Sequence, residues 1–111
     1  IILDRNTRGA VETCLAAEKN ILTDEPIIIM DCDFRFYSKD YLDKVNQAIN
    51  NNTPEGILLC FKSNSPRYSY AKTLGDEVIE TAEKKVISTD AIAGAYFFNK
   101  AKIFLNAAKS S

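Results

Sequence analysis

The sequence contains no histidine. Without an imidazole, no Ser-His or Cys-His nucleophile–base pair can be assembled within the chain. Chemistry here must rest on carboxylates, lysines, backbone groups and hard metal ions. Cysteine is scarce: Cys14, Cys32 and Cys60 are odd in number and widely spaced. That excludes a fully paired intramolecular disulfide framework and offers no zinc-site spacing, so a reducing, cytoplasmic setting is expected. No apolar run approaches the length that spans a bilayer, and no basic stretch precedes an apolar run as in a signal peptide. Neither sign of charge is in excess, the net charge being −1, so nucleic acid and membrane surfaces are not expected as partners. An initiating methionine is missing too. The chain opens on Ile1-Ile2-Leu3, like the end of a strand already under way, and is expected to be an internal piece of a longer protein.

What is present suits one compact domain: 111 residues with 46% hydrophobic content, typical of a globular chain. Residues 1–3 read as a short strand. A polar turn, Asp4 to Gly9, leads into apolar positions at helical spacing (Val11, Cys14, Leu15, Ile21, Leu22), which predict an amphipathic helix over 9–22 capped by Asn6 or Thr7. Thr23-Asp24-Glu25-Pro26 ends it. Ile27–Met30 is a run of mostly β-branched apolar residues, the pattern of a strand buried on both faces. Ser38 is a good N-cap for a helix over 39–50, whose stripe is Tyr41, Leu42, Val45, Ala48 and Ile49. A second doubly buried strand follows at 57–61. Strand, helix and strand at this spacing predict βαβ units, hence a mainly parallel sheet with helices on its faces. Beyond 63–66 the pattern changes. Strands at 68–73 and 77–82 are joined by Leu74-Gly75-Asp76 as a hairpin. Residues 93–98 form another strand, and Asn99 is placed to cap a last helix. Tyr68, Tyr70 and Lys72 alternate as an exposed hairpin face.

Asp31 and Asp33 stand where the strand P-I-I-I-M runs out. In open α/β sheets ligands bind outside the carboxyl ends of strands. Carboxylates suit Mg²⁺ or Mn²⁺, and Mg²⁺ takes one or two of them together with substrate phosphates. With eight aspartates in the chain a D-x-D alone is weak, and aspartates also favour turns. Gly9, in T-R-G-A-V-E-T, would let a ligand approach a helix N-terminus, or simply begin a capped helix. Glu83-Lys84-Lys85 offers a point charge for phosphate and a carboxylate for sugar hydroxyls, or a solvated edge. Gly94 marks either a close approach of a ligand or backbone, or a bulge.

In this order, T-R-G-A-V-E-T, P-I-I-I-M-D-C-D, P-R-Y-S-Y-A-K, L-G-D-E-V-I-E, A-E-K-K-V-I-S and G-A-Y-F-F resemble the sugar-nucleotide pyrophosphorylases, or nucleotidyltransferases, over nearly the whole chain. Members from bacterial capsule or surface-polysaccharide clusters look most similar. The resemblance implies a Rossmann-like three-layer α/β/α sandwich with a mixed, mainly parallel sheet and a β-hairpin. It implies a reaction joining a sugar 1-phosphate to a nucleoside triphosphate with release of pyrophosphate, aided by Mg²⁺ or Mn²⁺. Thr7 and Gly9 would lie by the nucleobase, and Asp33, with Asp31 as neighbour, at the metal. Glu83 would face the sugar, Lys84 the sugar phosphate, and Gly94 would line the sugar pocket, with Lys84 and Asp33 in catalytic roles. The family's glycine-rich triphosphate loop and its later metal aspartate have no counterpart in residues 1–111, so the chain is read as one partial domain with little activity of its own. An unpaired sheet edge and self-association through it are expected. Two other readings share the residues: a glycosyltransferase of the same general fold using D-x-D, and a non-catalytic nucleotide-binding domain.

Overall fold

A computed structural model of the chain describes residues 10–31 and 38–110. The strand expected at 1–3 and the caps at Asn6 or Thr7 lie outside the described residues. Helix α1 (Ala10–Leu15) is followed by a 3₁₀ turn, Glu18–Asn20. The helix expected over 9–22 is thus broken in two. Strand β1 (Ile27–Met30), helix α2 (Lys39–Asn51), strand β2 (Gly56–Lys62), the hairpin β3 (Tyr70–Leu74) and β4 (Glu77–Ala82), strand β5 (Asp90–Phe98) and helix α3 (Ala101–Lys109) complete the order.

β5 is the spine of the sheet. β2 pairs along one edge of it, from Gly56↔Phe98 to Lys62↔Asp90. The other edge is shared: β1 pairs from Ile27↔Phe98 to Met30↔Ala95, and β3 joins at Tyr70↔Ala91. Every ladder among the described residues is antiparallel, which corrects the expectation of a mainly parallel sheet. The reason is an insertion. β1 and β2 do run in the same direction, as a βαβ unit requires, but β5 lies antiparallel between them and takes both sets of hydrogen bonds. Local periodicity reports that a strand is present, not which strand it will sit beside.

Helices cover both faces. Phe97 projects to one face, where it packs with Tyr41, Val45 and Ala48 of α2 and with Ile57 and Leu59 of β2. Its neighbour Phe98 projects to the other, where its ring meets Phe104 of α3 at 5.4 Å. α2 starts as expected: the Ser38 hydroxyl accepts the Tyr41 N–H at 3.1 Å, satisfying one of the first-turn donors that have no helical partner. Ser38→Ala should lower unfolding free energy by about 1 kcal/mol, read as a lower urea midpoint at unchanged slope.

Three expectations need correction. α2 sits over β5 and β2, so β1 is half-covered rather than buried on both faces: Ile28 and Met30 remain 44% and 45% exposed. Asn99 is not a helix cap. Lys100 holds that position, and the first α3 amides, of Ala101 and Lys102, donate instead to the carbonyls of Glu25 and Thr23 at 2.7 and 3.0 Å. The loop before β1 thereby caps α3, and Lys102–Asp24 and Lys109–Glu18 ion pairs run beside it. Finally, Tyr70 is no exposed hairpin residue. It is fully buried, with its hydroxyl donating to the Ser65 carbonyl at 2.7 Å.

No described helix is long and apolar enough to cross a membrane.

Candidate functional site

The Asp31 N–H donates to the Gly94 carbonyl at 2.9 Å, extending the β1–β5 ladder one rung past Met30↔Ala95. Side chains alternate along a strand, so Asp31, Ile29 and Ile27 share a face with Gly94, Tyr96 and Phe98, opposite to the Phe97 face that α2 covers. α3 covers the Phe98 end of this face. The Asp31 end is exposed.

At that end the glycine has a definite cause. A Cβ built on Gly94 would overlap the Asp31 carboxylate and stand 3.1 Å from the Asp31 Cβ. The two readings of Gly94 therefore meet in one place. The β2–β5 register shifts between Leu58, opposite Tyr96, and Cys60, opposite Ile92, so Gly94 lies in the irregular stretch. The group that approaches it closely is the side chain of Asp31. Two residues along the same face, burial raises the Tyr96 phenol pKa, and the Asp31 charge raises it further, which holds the phenol as an O–H donor at neutral pH.

The hairpin brings in the second group. β1 ends opposite Gly94 and β3 begins opposite Ala91, on the same edge of β5. Three residues of strand, about 10 Å, separate the two. Ala82, the last residue of β4, pairs with Tyr70, so Glu83 and Lys84 leave the sheet beside this notch. Both are exposed. Lys84 has φ 52°, a left-handed conformation uncommon for a residue other than glycine, and the chain turns there toward β5. One wall of the notch is the loop before β3. The Ile92 N–H donates to the Ser69 carbonyl at 2.8 Å, and Tyr68 meets Phe61 edge-on at 4.9 Å.

The structure thus brings Asp31 and Gly94 into contact, while Glu83 and Lys84 follow the end of β4 on the far side of β3 from β5. Among the described residues no hydrogen bond or ion pair joins the two groups. Thr7, Gly9 and Asp33 lie outside the described residues. Tyr96 had not been singled out from the sequence, although the signal was there: in G-x-Y on a strand, the tyrosine must share the glycine's face. As for the thiols, burial pushes Cys14 and Cys60 up. At Cys60 the Asp90 charge adds to this and Lys62 partly offsets it. Neither is an activated nucleophile. Among the described residues no three His, Cys, Asp or Glu side chains gather as a metal site. Asp31 supplies one exposed carboxylate, which is compatible with a Mg²⁺ ion held mainly by substrate phosphates.

The architecture has solved counterparts. It superposes on the nucleoside-diphosphate-sugar pyrophosphorylase from Vibrio cholerae RC9 with a TM-score of 0.74 and 28% sequence identity, over 97% of this chain and 45% of that one. The chain is folded like part of a nucleoside-diphosphate-sugar pyrophosphorylase. A putative glucose-1-phosphate thymidylyltransferase from Bacillus anthracis, solved with a sucrose, shares the fold at a TM-score of 0.69 and 21% identity, over 87% of this chain and 39% of that one. The chain therefore spans less than half the length of either structure. No protein-family model and no curated protein matches it. The resemblance to the pyrophosphorylases and nucleotidyltransferases, expected from the order of the motifs, is present in the fold.

Proposed function

We propose that this chain forms the metal-side and sugar-side half of a cytoplasmic nucleotidyltransferase that joins a sugar 1-phosphate to a nucleoside triphosphate, serving surface-polysaccharide synthesis. The observation that carries the reading is the pyrophosphorylase-like fold along 97% of the chain at 28% identity. In this reading β1–β5 lie within a larger Rossmann-like α/β/α sandwich that also holds the triphosphate loop. An oxygen of the sugar phosphate attacks the α-phosphorus in line, the bond from that phosphorus to the bridging oxygen breaks, and pyrophosphate leaves. No side chain need form a covalent intermediate, so positioning and charge neutralisation supply the catalysis. Lys84 places a point charge against the sugar phosphate. Glu83 accepts hydrogen bonds from sugar hydroxyls. Thr7 and Gly9 line the base. Asp33, with Asp31 beside it, forms the carboxylate end of the site. A Mg²⁺ or Mn²⁺ held there would neutralise charge on the phosphates.

Pyrophosphate release from nucleoside triphosphates and glucose 1-phosphate tests this. A protein extended through the triphosphate loop should turn over, and Lys84→Met should lower kcat/KM about 10²- to 10³-fold, as for other groups that neutralise transition-state charge. Residues 1–111 alone should release little. Equal rates from the 111-residue chain would refute the division of the site. Transfer or hydrolysis of a nucleotide-sugar without pyrophosphate release would make the protein a glycosyltransferase.

A further inference from the structure

We infer that Asp31 is a substrate residue, its carboxylate accepting a hydrogen bond from a sugar hydroxyl on the Gly94–Tyr96 face rather than binding a metal ion. The inference rests on the functional reading above and assigns one carboxylate of its site.

Three observations carry it. Asp31 is held as part of the sheet, its N–H bonded to the Gly94 carbonyl, so its Cα–Cβ bond leaves the sheet on the Gly94 face. The carboxylate lies over the bare Cα of Gly94, in space that any other residue at 94 would fill. On the same face, diagonally across the strand pair, stands the Tyr96 phenol. Ile29 is opposite Tyr96 and Asp31 is one rung beyond, and diagonal neighbours lie about 7–8 Å apart. That is the spacing of the two strand positions, and it leaves both side chains on the same face of the sheet. A carboxylate is an acceptor only and a phenol O–H is a donor. One acceptor and one donor on a common face complement hydroxyl groups, each of which both donates and accepts. The Asp31 side chain is exposed at this end of the face. The open end of the face, beyond α3, admits one.

Binding rather than turnover separates the possibilities. Calorimetric titration of the protein with glucose 1-phosphate, inorganic phosphate and Mn²⁺ should show that Asp31→Asn weakens glucose 1-phosphate about ten- to hundredfold, the range for a charge-assisted hydrogen bond. Inorganic phosphate and Mn²⁺ affinities should stay within about twofold. Gly94→Ala should cause a similar loss by displacing the carboxylate, and should cause little further loss in an Asp31→Ala background. Circular dichroism of each variant checks the fold, and the double variant distinguishes a displaced carboxylate from a damaged sheet. Weakened Mn²⁺ binding with unchanged glucose 1-phosphate binding would overturn the assignment, as would a Gly94→Ala effect of equal size with and without Asp31. So would absence of glucose 1-phosphate binding by the unmutated protein. A preference for glucosamine 1-phosphate that vanishes in Asp31→Asn would make the carboxylate a partner for an ammonium group, and would likewise reject the hydroxyl assignment. Asp31-dependent sugar phosphate binding without nucleotidyl transfer would sink the functional reading and leave the assignment standing. Transfer that proceeds with Asp31 affecting only Mn²⁺ would do the reverse.

Discussion

Phe97→Ala should cost the domain about 3–5 kcal/mol, a large part of the 5–15 kcal/mol that holds a typical domain together. Phe97 is 1% exposed and sits where three elements meet: Tyr41, Val45 and Ala48 from α2 on one side, Ile57 and Leu59 from β2 beside it, and its own strand β5 beneath. Removing the ring deletes the apolar surface that fastens α2 to the sheet, and it leaves a cavity between the helix and the sheet. Phe98→Ala is the control. Phe98 faces the other layer, is only half-buried, and has Phe104 as its ring partner, so less area returns to water and the loss should be smaller. Urea unfolding of both variants measures the difference. Equal losses would mean that α2 does not depend on this contact.

What could be read in advance follows a physical division. α2 was legible because its information is local: a cap at Ser38 and an apolar repeat at Tyr41, Val45 and Ala48 lie within four turns. The β4 strand, with its turn at Gly75 (φ 63°), was legible for the same reason. Sheet order was not, because β5 comes late in the chain and takes a place between two strands made earlier. Nothing in the period of Ile27–Met30 or Gly56–Lys62 says that a later strand will separate them. Tyr70 shows a second limit. The alternation of Tyr68 and Tyr70 was visible, but the burial of Tyr70 depends on the Ser65 carbonyl that receives its hydroxyl, and that carbonyl is placed by the loop. The candidate site was legible as a set of residue types. Its organising contact, Asp31 against Gly94, was not, because it joins β1 to β5 across most of the chain. The sequence marks Gly94 as a point of close approach by a ligand or backbone, or as a bulge, and the group that comes close is a side chain from β1's end, Asp31.

Asn99 offers the second large effect, and here the charge of the replacement matters. Its side chain is 5% exposed, and its amide nitrogen donates to the carbonyls of Ala48 at 2.8 Å and Pro54 at 3.2 Å. Ala48 lies in the last turn of α2, where four carbonyls have no helical donor, so the amide serves as a remote cap. It also ties the loop before β2 to the end of β5, with the Asn99 backbone N–H donating to Glu55 O at 2.8 Å. Asn99→Ala leaves both acceptors without this donor and should cost about 1–3 kcal/mol. Asn99→Asp keeps the shape and should be worse at neutral pH, because it sets an ionised carboxylate against two carbonyl oxygens in a site closed to water. Burial and those oxygens both favour the protonated acid, so the variant's folded-state carboxyl pKa lies above its unfolded value. Stability is then greatest below the unfolded pKa and is lost as pH rises through the folded one. Thermal unfolding at pH 4 and pH 7 reads this directly. Asn99→Asp should approach the unmutated protein at the lower pH, where a carboxyl O–H again donates to one carbonyl, and fall well below it at the higher. An Asn99→Asp protein as stable as the parent at pH 7 would mean that the amide's hydrogen bonds to α2 and to the loop before β2 do not contribute to stability.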